Sequence, residues 1–388
     1  MEYVSLKEVV HIKHGYAFKG EFFTEEKTGK IVLTPGNFSL SGGFIPTKKY
    51  TKEEGFPEEF ILKANDLIVT MTDLSKEIDT IGFAALIPSD DKLYLHNQRI
   101  GLVTIISNDF DKDYIYWLMR TKCYQRTIAN TSNGATVHHT SPDRIYKYKF
   151  KRISLPIQQK IASILSAYDR LIENNTRRIR LLEQMAENLY KEWFVRFRFP
   201  EHEKVEMVNG LPKGWKVEKI KECVKRLPFG RTYKAKELSQ DGEVIVIDQS
   251  TSDFLGFHNN TPDHHATFNS PIILFGDHSC KFCLMTRNFS LGENIIPFIS
   301  KDTKQIDNYY LYFATHKLIV TEEYKRHWGR LSSMKILIPT IDIQQKFNKL
   351  IIKNEKMKKL LFIQNQLLTR QRDLLLPRLM SGKLEVKS

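Results

Sequence analysis

Cysteine and long apolar runs are both scarce in this sequence. Four cysteines occur among 388 residues, too few for the disulfide framework of a small secreted domain, so we expect a reducing, cytoplasmic environment. No apolar stretch approaches the roughly 18 residues that a membrane-spanning helix needs. Residues 1–5 also lack the layout of a signal peptide. The sequence therefore predicts a cytoplasmic protein that does not enter a membrane.

Nucleotide-binding and methyl-transfer motifs are missing as well. There is no GxxxxGK[ST] phosphate loop, since Gly382-Lys383 lacks the upstream glycine, and no GxGxxG fingerprint of a dinucleotide fold. The Asn-Pro-Pro-aromatic and Asp-Pro-Pro-aromatic tetrads of amino-methyltransferases do not occur. We therefore expect no catalytic residue in this chain and no cofactor bound by it.

Candidate metal ligands and acid–base pairs are isolated. Residues 280–283 form a single CxxC, whereas structural zinc is held by four ligands, so two cysteines of a strand or turn are expected. The adjacent pairs His138-His139 and His264-His265 lack the i, i+4 spacing of a helical metal site. Glu53-Glu54 and Glu58-Glu59 lie in a polar segment, where we expect charges that face solvent. The sequence predicts no metal site.

Positively charged residues outnumber negatively charged ones in this sequence. Lys and Arg number 59 against 45 Asp and Glu, which gives a net charge of +14 and a pI near 9.3. This surplus favours a polyanionic partner and excludes a DNA mimic, which must be acidic. Hydrophobic residues make up 41% and aromatic residues 11%, a composition that builds cores and does not fit a disordered chain. Net charge alone does not separate a nucleic-acid binder from an ordinary basic protein.

The chain repeats itself once. Leu155-Pro156-Ile157-Gln158-Gln159-Lys160 returns as Ile338-Pro339 and, after three further residues, Ile343-Gln344-Gln345-Lys346. Three other segments have similar copies in the same order, namely 5–10 at 219–224, 15–19 at 230–234 and 113–118 at 308–313. Two copies are too few for a solenoid. The pattern predicts a pseudo-dimer within one chain, with the order globule, long helix, globule, long helix.

Two long helices are predicted, because apolar or semi-apolar residues recur every three or four positions over long stretches free of glycine. The first stripe comprises Ile161, Ile164, Tyr168, Leu171, Asn175, Ile179, Leu182, Ala186, Leu189 and Trp193. The second comprises Phe347, Leu350, Asn354, Met357, Leu361, Gln364, Leu368, Gln371 and Leu375. We expect Pro377 to end the second helix. Such narrow stripes are typical of coiled-coil seams, and an antiparallel pair would make a spacer of roughly 60 Å.

Polar seam residues and basic helix residues each allow two interpretations. The polar residues Asn175, Asn354, Gln364 and Gln371 either fix the register between the helices or lie near bends and partner surfaces. The exposed face of the second helix is either simply solvated or contacts a DNA backbone or an acidic partner. Its basic residues are Lys346, Lys349, Lys353, Lys356, Lys358, Lys359, Arg370 and Arg372.

The fold class is predicted as α+β, with two similar mixed globules and two long helices. The predicted domains are a first globule (1–153), a first helix (154–200), a linker with a second globule (201–337), and a second helix with the tail (338–388). Strands are predicted at 31–34, 67–70, 101–106, 244–247 and 271–275. Short helices are predicted at 113–129 and 308–324. The loops are rich in residue types that read base edges and grip phosphates, although loops are polar in most proteins.

Several of these segments together resemble the specificity (S) subunit of a Type I restriction–modification system. They are the openings at 155–162 and 343–346, LLEQMAENLYKEWF at 181–194, LPKGW at 211–215 and LLPRLMSGKL at 375–384. The resemblance covers essentially the whole chain. It departs from the family in two places: the N-terminus has no Leu-Pro-x-Gly-Trp lead-in, and the second opening carries a three-residue insertion.

The resemblance implies two target-recognition domains, each reading one half of a split, asymmetric DNA site. The helices would form the spacer and dock two modification (M) subunits, which would bind S-adenosylmethionine and methylate adenine. Restriction (R) subunits would add translocation and cleavage with ATP and magnesium. The chain itself would be non-catalytic. The competing hypotheses are a self-contained DNA methyltransferase or nuclease, and a protein-only coiled-coil scaffold.

Loop residues are the predicted DNA contacts, because Arg and Asn can make bidentate hydrogen bonds to guanine and adenine. These loop residues are Asn97, Arg99, Asn133, Thr136, His138, Arg144, Arg231, Lys281, Arg326 and Arg330. The predicted phosphate contacts are Lys13, Lys19 and Lys234. The candidate subunit-docking residues are Trp193, Phe194, Phe197 and Phe199. This aromatic cluster fits an M-subunit surface and a hydrophobic core under the second globule equally well.

Overall fold

A computed structural model describes residues 2–40, 42–47, 49–73, 80–134, 137–250, 252–320 and 325–386. The chain divides into two compact units. Unit 1 comprises Met1–Glu173 and Asn365–Ser388, and unit 2 comprises Asn174–Gln364. Each of the two long helices contributes residues to both units. Within the described ranges, no helix is both long and apolar enough to cross a membrane.

Unit 1 contains two main sheets and two small ones. Its strands are β1 (Tyr3–Ser5), β2 (Val10–His14), β3 (Phe23–Thr24), β4 (Lys30–Val32), β5 (Tyr50–Thr51), β6 (Ile61–Leu62), β7 (Leu67–Thr70), β8 (Thr72–Asp73), β9 (Ala84–Leu86), β10 (Leu93–Leu95), β11 (Ile100–Ile105), β12 (His138–His139) and β13 (Lys149–Lys151). The central sheet has the order β2-β11-β7-β9 and is antiparallel. The second sheet has the order β3-β5-β4-β10-β6, with β4 and β10 parallel. Every residue of β7 is buried, as its unbroken apolar run requires.

The helices of unit 1 are α1 (Lys112–Met119), α2 (Lys122–Asn130), α3 (Pro142–Tyr146), the beginning of α4 (Leu155–Tyr190) and the last part of α8 (Ile341–Met380). The prediction of one helix over 113–129 is wrong, because the chain breaks between α1 and α2. At the break the hydroxyl of Thr121 accepts from the amide of Tyr124 and starts a new helix.

Unit 2 repeats this arrangement. Its strands are β14 (Met207–Val208), β15 (Leu211–Pro212), β16 (Lys216–Lys219), β17 (Val224–Arg226), β18 (Val244–Ile247), β19 (Gly256–His258), β20 (Ile272–Gly276), β21 (Phe282–Met285), β22 (Phe289–Leu291), β23 (Ile295–Ser300) and β24 (Lys335–Ile338). The order β17-β23-β20-β21 matches the central sheet of unit 1. The parallel pair β18–β22 matches β4–β10, and the antiparallel pair β16–β24 matches β1–β13. The internal repeat predicted from the sequence is therefore confirmed at the level of topology.

The helices of unit 2 are the last part of α4, α5 (Ile220–Cys223), α6 (Asn308–Thr315), α7 (Trp328–Ser333) and the first part of α8. A π-helical turn, Lys191–Val195, follows α4. The helix predicted over 308–324 is too long, because α6 ends at Thr315 with His316 as its C-cap. Residues 321–324 lie outside the described residues.

The long helices α4 and α8, which we call the spacer helices, run antiparallel within each unit. In unit 1, Asp169 contacts Arg372 and the carbonyl of Ile172 accepts from Asn365 at 3.4 Å. In unit 2, the pairs are Asn175 with Gln364 and Glu183 with Lys358. In both units, later residues of α4 thus meet earlier residues of α8, which confirms the predicted antiparallel pairing.

Pro377 does not end α8, contrary to expectation. The helix continues to Met380, although proline removes one amide donor from the ladder. The final turn is held because Leu376 and Leu379 are buried in the core of unit 1. The chain leaves the helix at Gly382, whose φ of 73° suits glycine.

The buried face of α8 is rotated from the predicted seam. Phe347 and Leu361 are buried as expected, but Leu350 and Met357 are each 41% exposed. Ile351, which the predicted stripe omits, is fully buried. A straight helix drifts from a strict heptad by about 20° every seven residues. In unit 2, α8 also packs against the globular core, which includes Ile351.

Candidate functional site

One glutamine in unit 1 joins the globule to the first turn of α4. Gln158 is fully buried, and its Nε2 donates to the carbonyls of Asp109 at 3.0 Å and Ile153 at 2.9 Å. Its Oε1 accepts from the amide of Asp111 at 3.0 Å. Asp111 in turn caps α1 by accepting from the amide of Tyr114 at 2.9 Å. One side chain therefore fixes the start of α1 relative to the start of α4.

The second glutamine does the same in unit 2. Gln344 is fully buried and donates to the carbonyls of Gln305 at 2.9 Å and Pro339 at 2.8 Å. It accepts from the amide of Asp307 at 2.8 Å. Asp307 caps α6 through the amide of Tyr309, and burial raises the pKa of its carboxyl. Glutamine is needed because a single amide both donates twice and accepts, which a carboxylate cannot do.

An Arg–Asp–Arg cluster joins α1 to the spacer helices in unit 1. The carboxylate of Asp169 on α4 accepts from Arg120 and from Arg372, each at 2.6 Å. The guanidinium of Arg120 lies 4.3 Å from the ring centroid of Trp117, and a Cβ on Gly42 would overlap that guanidinium. Burial alone would lower the pKa of Arg372, but Asp169 and Asp373 outweigh burial and raise it. These charges hold α1, α4 and α8 together.

Two buried aspartates accept hydrogen bonds from residues beyond the ends of their own strands. Asp73, at the end of β8, is 2% exposed and accepts from the amide of Thr80 at 2.5 Å and from its hydroxyl at 2.9 Å. Asp277 follows β20 and accepts from the amides of His327 at 3.1 Å and Trp328 at 2.9 Å, at the start of α7. Asp277 thus holds the segment that carries the candidate DNA contacts Arg326 and Arg330 by charge-assisted hydrogen bonds.

Lys13 and Lys19, predicted phosphate contacts, lie near two glutamates. Lys13 Nζ is 2.8 Å from Glu59 and 4.7 Å from the ring centroid of Phe60. Lys19 is exposed, and its amide donates to Glu53 at 2.9 Å. The expectation that Glu53 faces solvent is wrong, because this side chain turns inward to bind the backbone and the residue is only 5% exposed. Glu53 therefore shapes the segment that presents Lys19.

Asn97 and Arg99 share one turn. Asn97 is 5% exposed, and its Oδ1 accepts from the amide of Arg99 at 3.0 Å. The Asn97 side chain is thus used within the fold, whereas Arg99 is exposed. Contact of Asn97 or Arg99 with DNA stays a prediction.

A second loop region of unit 1 carries the other candidates. Asn133 is exposed, and its backbone is paired in both directions with that of His139. His138 is half-buried in β12. Arg144 donates to the carbonyl of Thr131 at 2.5 Å. Thr136 lies outside the described residues.

In unit 2, Arg231 and Lys234 lie beside an aromatic stack. Arg231 is exposed, 4.8 Å from the ring centroid of Tyr233, and its amide donates to Asp263 at 3.1 Å. Tyr233 stacks on His258 with ring centroids 4.3 Å apart. Lys234 is exposed. The arrangement places two cations on one exposed segment, where Arg231 also lies 3.5 Å from Glu237.

The other candidates of unit 2 differ in accessibility. Lys281 is half-buried, and its Nζ donates to the carbonyls of Asp248 at 3.2 Å and of Ser252. Arg326 is 81% exposed at its side chain and lies 3.9 Å from Asp277. Arg330 is exposed on α7. Lys281 thus braces a loop, and the two arginines face solvent; contact with DNA stays a prediction for all three.

The aromatic cluster at the end of α4 belongs to the core of unit 2. Trp193, Phe194 and Phe199 are at most 8% exposed, and Phe197 packs against Trp215 at 5.5 Å between ring centroids. The structure supports the second interpretation of this cluster, a hydrophobic core under the second globule. A docking role for these residues stays a prediction.

Two basic residues that the sequence analysis placed on the exposed face of α8 are instead paired with carboxylates and largely shielded from solvent. Lys358 pairs with Glu355 at 3.0 Å and Glu183 at 3.2 Å, and Arg372 pairs with Asp169. The prediction was wrong because partners on α4 draw both cations inward. The remaining lysines of the N-terminal part of α8 are exposed, namely Lys346, Lys349, Lys353, Lys356 and Lys359.

The spacer helices also expose large apolar side chains. On α8 these include Leu350, Met357, Leu360 and Ile363 in unit 2, and Leu367 and Leu374 in unit 1. On α4 they are Leu171 in unit 1, and Leu181 and Met185 in unit 2. Leu360, Leu367 and Leu374 follow one another at seven-residue intervals, which is the spacing of one helix face. Among the described residues, no group of three or more His, Cys, Asp or Glu side chains could hold a metal ion.

Sequence comparison connects the chain with known proteins. Residues 1–184 match the family described as the Type I restriction modification DNA specificity domain. The chain is 26% identical to the Type I restriction enzyme MjaIX specificity subunit of Methanocaldococcus jannaschii, over 88% of this chain and 82% of that protein. It is 21% identical to the putative type I restriction enzyme MjaX specificity subunit of the same organism, over 90% of this chain and 86% of that protein.

Structural comparison gives a consistent result for the fold. The S subunit of a Type-I restriction-modification system from M. genitalium matches with a TM-score of 0.59 and 16% sequence identity. The match covers 100% of this chain and 96% of the other. The predicted fold class, with two mixed globules and two long helices, is therefore confirmed.

Proposed function

We propose that this chain, which is similar to specificity subunits of Type I restriction–modification systems along most of its length, is such a subunit and that each of its two units reads one half of a split DNA site. The observation that carries this proposal is the repeat itself: the two units have the same central sheet order and the same glutamine contact between globule and spacer helix. Two similar but non-identical readers suit a site whose halves differ in sequence. The exposed Arg99, Arg326 and Arg330 are suitable base-reading residues.

The net charge of +14 supports a large backbone contribution to binding. Lysines that neutralise phosphates release counterions, so affinity should fall steeply with salt and carry little sequence information. Exposed loop residues, among them Arg326 in the segment held by Asp277, would supply the specificity. The chain would act in the cytoplasm, where the DNA lies.

We further propose that the spacer helices set the gap between the two half-sites and dock two M subunits. The exposed apolar side chains of α8 support this, since Leu360, Leu367 and Leu374 recur with the seven-residue spacing of one face. A helix–helix partner would bury them. R subunits would join the complex through the M subunits or this chain.

The chemistry would reside in the partners. M subunits would bind S-adenosylmethionine and methylate adenine, and R subunits would use ATP and magnesium for translocation and cleavage. This chain would bind DNA and orient it, without a catalytic residue of its own. The purified chain alone should therefore transfer no methyl group to DNA, whereas the complex with M subunits should.

Methylome mapping of the host tests the proposal directly. We expect adenine methylation at a split motif that disappears when the gene for this chain is deleted. Exchanging residues 1–153 for the equivalent part of another specificity subunit should change one half of the motif only. Methylation that persists after deletion would overturn the recognition role, and a change in both halves would overturn the assignment of one half to each unit.

A further inference from the structure

A group of exposed lysines lies on the strand pair that leads into each spacer helix. In unit 1 the pair β1–β13 is extended by a hydrogen bond from the amide of Leu6 to the carbonyl of Tyr148 at 3.0 Å. In unit 2 the pair β16–β24 is extended by a bond from the amide of Ile220 to the carbonyl of Met334 at 2.9 Å. These bonds make Leu6 equivalent to Ile220 and Tyr148 equivalent to Met334. The positions that flank these residues are therefore directly comparable between the units.

Three of the four flanking positions are exposed lysines in each unit, and we call each set of three a lysine cluster. The members are Lys7, Lys147 and Lys149 in unit 1, and Lys219, Lys221 and Lys335 in unit 2. The fourth position is Ser5 in unit 1 and Ser333 in unit 2. Ser333 is equivalent to Lys147, not to Ser5. The repeat thus keeps three positive charges while the uncharged residue changes place.

The lysine cluster of unit 1 surrounds an open recess of about 450 Å³. The recess is lined by Ser5, Lys7, Asp143, Tyr146, Lys147 and Lys149. Its lining therefore carries three positive charges against the one negative charge of Asp143. The Tyr146 hydroxyl accepts from the amide of Ile12 at 2.8 Å, which fixes one wall.

The cations of this recess are not neutralised by the fold. Within the described part of unit 1, no carboxylate forms an ion pair with Lys7, Lys147 or Lys149. Glu8 is near enough to Lys149 to interact electrostatically, but its carboxylate is bound to the Ser5 hydroxyl at 2.7 Å. The recess is thus open to an anion from outside the chain.

The lysine cluster of unit 2 places like charges opposite each other. Lys219 and Lys335 are register partners on β16 and β24, and neither forms an ion pair among the residues that the structure describes. Like charges at opposed positions destabilise a strand pair. Lys221 lies 3.8 Å from Glu222, but both side chains are largely exposed, so this pair contributes little. An anionic partner lying against the cluster would relieve the repulsion.

We propose that each lysine cluster binds phosphate groups of the DNA backbone and so anchors its unit on the duplex. This inference rests on the proposed function, because it requires each unit to lie on DNA. Ammonium groups bind phosphates as point charges, and such contacts carry no sequence information. A run of phosphates offers negative charge at many points, so the uncharged residue can change place without loss. A protein partner would instead present carboxylates at fixed positions, where the same change would break a pair.

Binding of duplex DNA by the complex with M subunits tests the proposal. The two variants are K7A/K147A/K149A and K219A/K221A/K335A. Each phosphate contact that is lost should flatten the plot of log affinity against log salt by about 0.9, so each variant should lose about 1–3 units of slope. Affinity should fall alike for the intact site and for a duplex of equal length with both halves scrambled. A wild-type slope in both variants would overturn the proposal.

Matched controls separate the lysine clusters from net charge and from folding. K27A/K63A/K122A removes the same charge from exposed lysines of unit 1 outside the cluster, and it should keep the wild-type slope. A loss of slope equal to that of K7A/K147A/K149A would show an effect of net charge only and overturn the proposal. K7R/K147R/K149R retains the three cations and should also keep the wild-type slope.

An exchange variant tests whether the charge or its position matters. S5K/K147S gives unit 1 the arrangement found in unit 2 and retains three lysines. We expect wild-type affinity and slope for S5K/K147S, whereas K147S alone should lose about one unit of slope. An exchange variant as weak as K147S would contradict binding to a run of phosphates.

Assembly of each variant with M subunits, measured by size-exclusion chromatography, distinguishes DNA from a protein partner. Lysine variants that assemble poorly, yet bind DNA with the wild-type slope once assembled, would overturn the proposal in favour of a protein contact. A wild-type complex that binds the intact and scrambled duplexes equally would overturn the proposed function instead. The slopes of the lysine variants would still decide the phosphate contact.

Discussion

Asn175 and Gln364 are hydrogen-bonded across the spacer helices of unit 2, with Asn175 Nδ2 donating to Gln364 Oε1 at 3.1 Å. Asn175 is 5% exposed. An amide–amide bond at one level of a helix pair is satisfied in one register only, so this pair fits the first of the two interpretations of the polar seam residues. Gln371, another polar position of the predicted seam, is exposed.

Replacing Asn175 with alanine should therefore destabilise the protein, while the same change at Gln371 should not. We expect Asn175→Ala to lower the free energy of unfolding by about 1 kcal/mol, the usual effect of one lost hydrogen bond. Gln371→Ala should stay within about 0.5 kcal/mol of the wild type. Urea unfolding of both variants measures the difference. Equal effects would contradict a structural role that is specific to the Asn175 pair.

Replacing Gln344 with glutamate should be more damaging. The carboxylate cannot donate to the carbonyls of Gln305 and Pro339, and it places a buried charge against them. We expect a loss of about 2–3 kcal/mol in the free energy of unfolding at pH 7. Gln345→Glu, at an exposed neighbouring position, is the control and should be nearly neutral. A Gln344→Glu variant as stable as this control would show that the contact adds nothing.

Gly42 is a position where both backbone and space require glycine. Its φ is 88°, and a Cβ would overlap the guanidinium of Arg120. Gly42→Ala should cost roughly 2 kcal/mol more than Gly55→Ala, because a displaced Arg120 leaves the buried cluster with Asp169 incomplete. Gly55 also has a positive φ, 74°, but a Cβ there would meet nothing within 4 Å, so it reports the backbone strain alone. Thermal unfolding of the two variants gives the comparison, and equal losses would rule out the steric component.

Ionisation of Glu187 should make the free energy of unfolding depend on pH in the acidic range. Burial alone would raise the pKa of its carboxyl, but the hydrogen bonds from Lys317 and His316 outweigh burial and lower it. A lowered pKa in the folded state means that the ionised carboxylate stabilises the fold above about pH 4.5, its ordinary value. This contribution is lost as the pH falls through the folded pKa. Stability curves from pH 6 to 3 should therefore be steeper for the wild type than for Glu187→Gln, and parallel curves would contradict the linkage.

Salt dependence should distinguish phosphate contacts from base contacts. In the complex with M subunits, Lys234→Ala should weaken binding to all sequences alike and flatten the plot of log affinity against log salt by about one unit. Arg326→Ala should instead relax selectivity at one base pair, with a loss of about 1–3 kcal/mol for the intact site. Binding titrations at several salt concentrations separate the two classes. A Lys234→Ala variant with an unchanged slope would remove this residue from the phosphate contacts.

The elements that were predictable from sequence are those with a strong local pattern. The strands Leu67–Thr70 and Val244–Ile247 were predicted at their observed bounds, because runs of mostly β-branched residues favour buried strands. The internal repeat was found from short similar segments, and the sheet orders of the two units confirm it. The antiparallel pairing of the helices was predictable from the order of the segments, because one helix leads into the second globule and the other leads away from it.

The sequence did not allow us to predict features that depend on tertiary contacts. Glu53 faces inward only because the amide of Lys19 meets it across 34 residues of sequence. Pro377 is tolerated because neighbouring leucines are anchored in a core that includes residues from the other end of the chain. Arg120 and His316 were not singled out, since nothing in the local pattern indicates a carboxylate on α4. Their common position nine residues after a capping aspartate is a signal that comparison of the two repeats could have provided.

The two buried glutamines have a consequence for how such chains can change. Gln158 and Gln344 contact the main chain of their globules through amide and carbonyl groups, which every residue type except proline supplies in full. The side chains of the globule are therefore unconstrained at these contacts. A globule with an entirely different surface could attach to the same helix, provided that its backbone follows the same path there. Such an attachment makes the readers interchangeable while the helices stay the same.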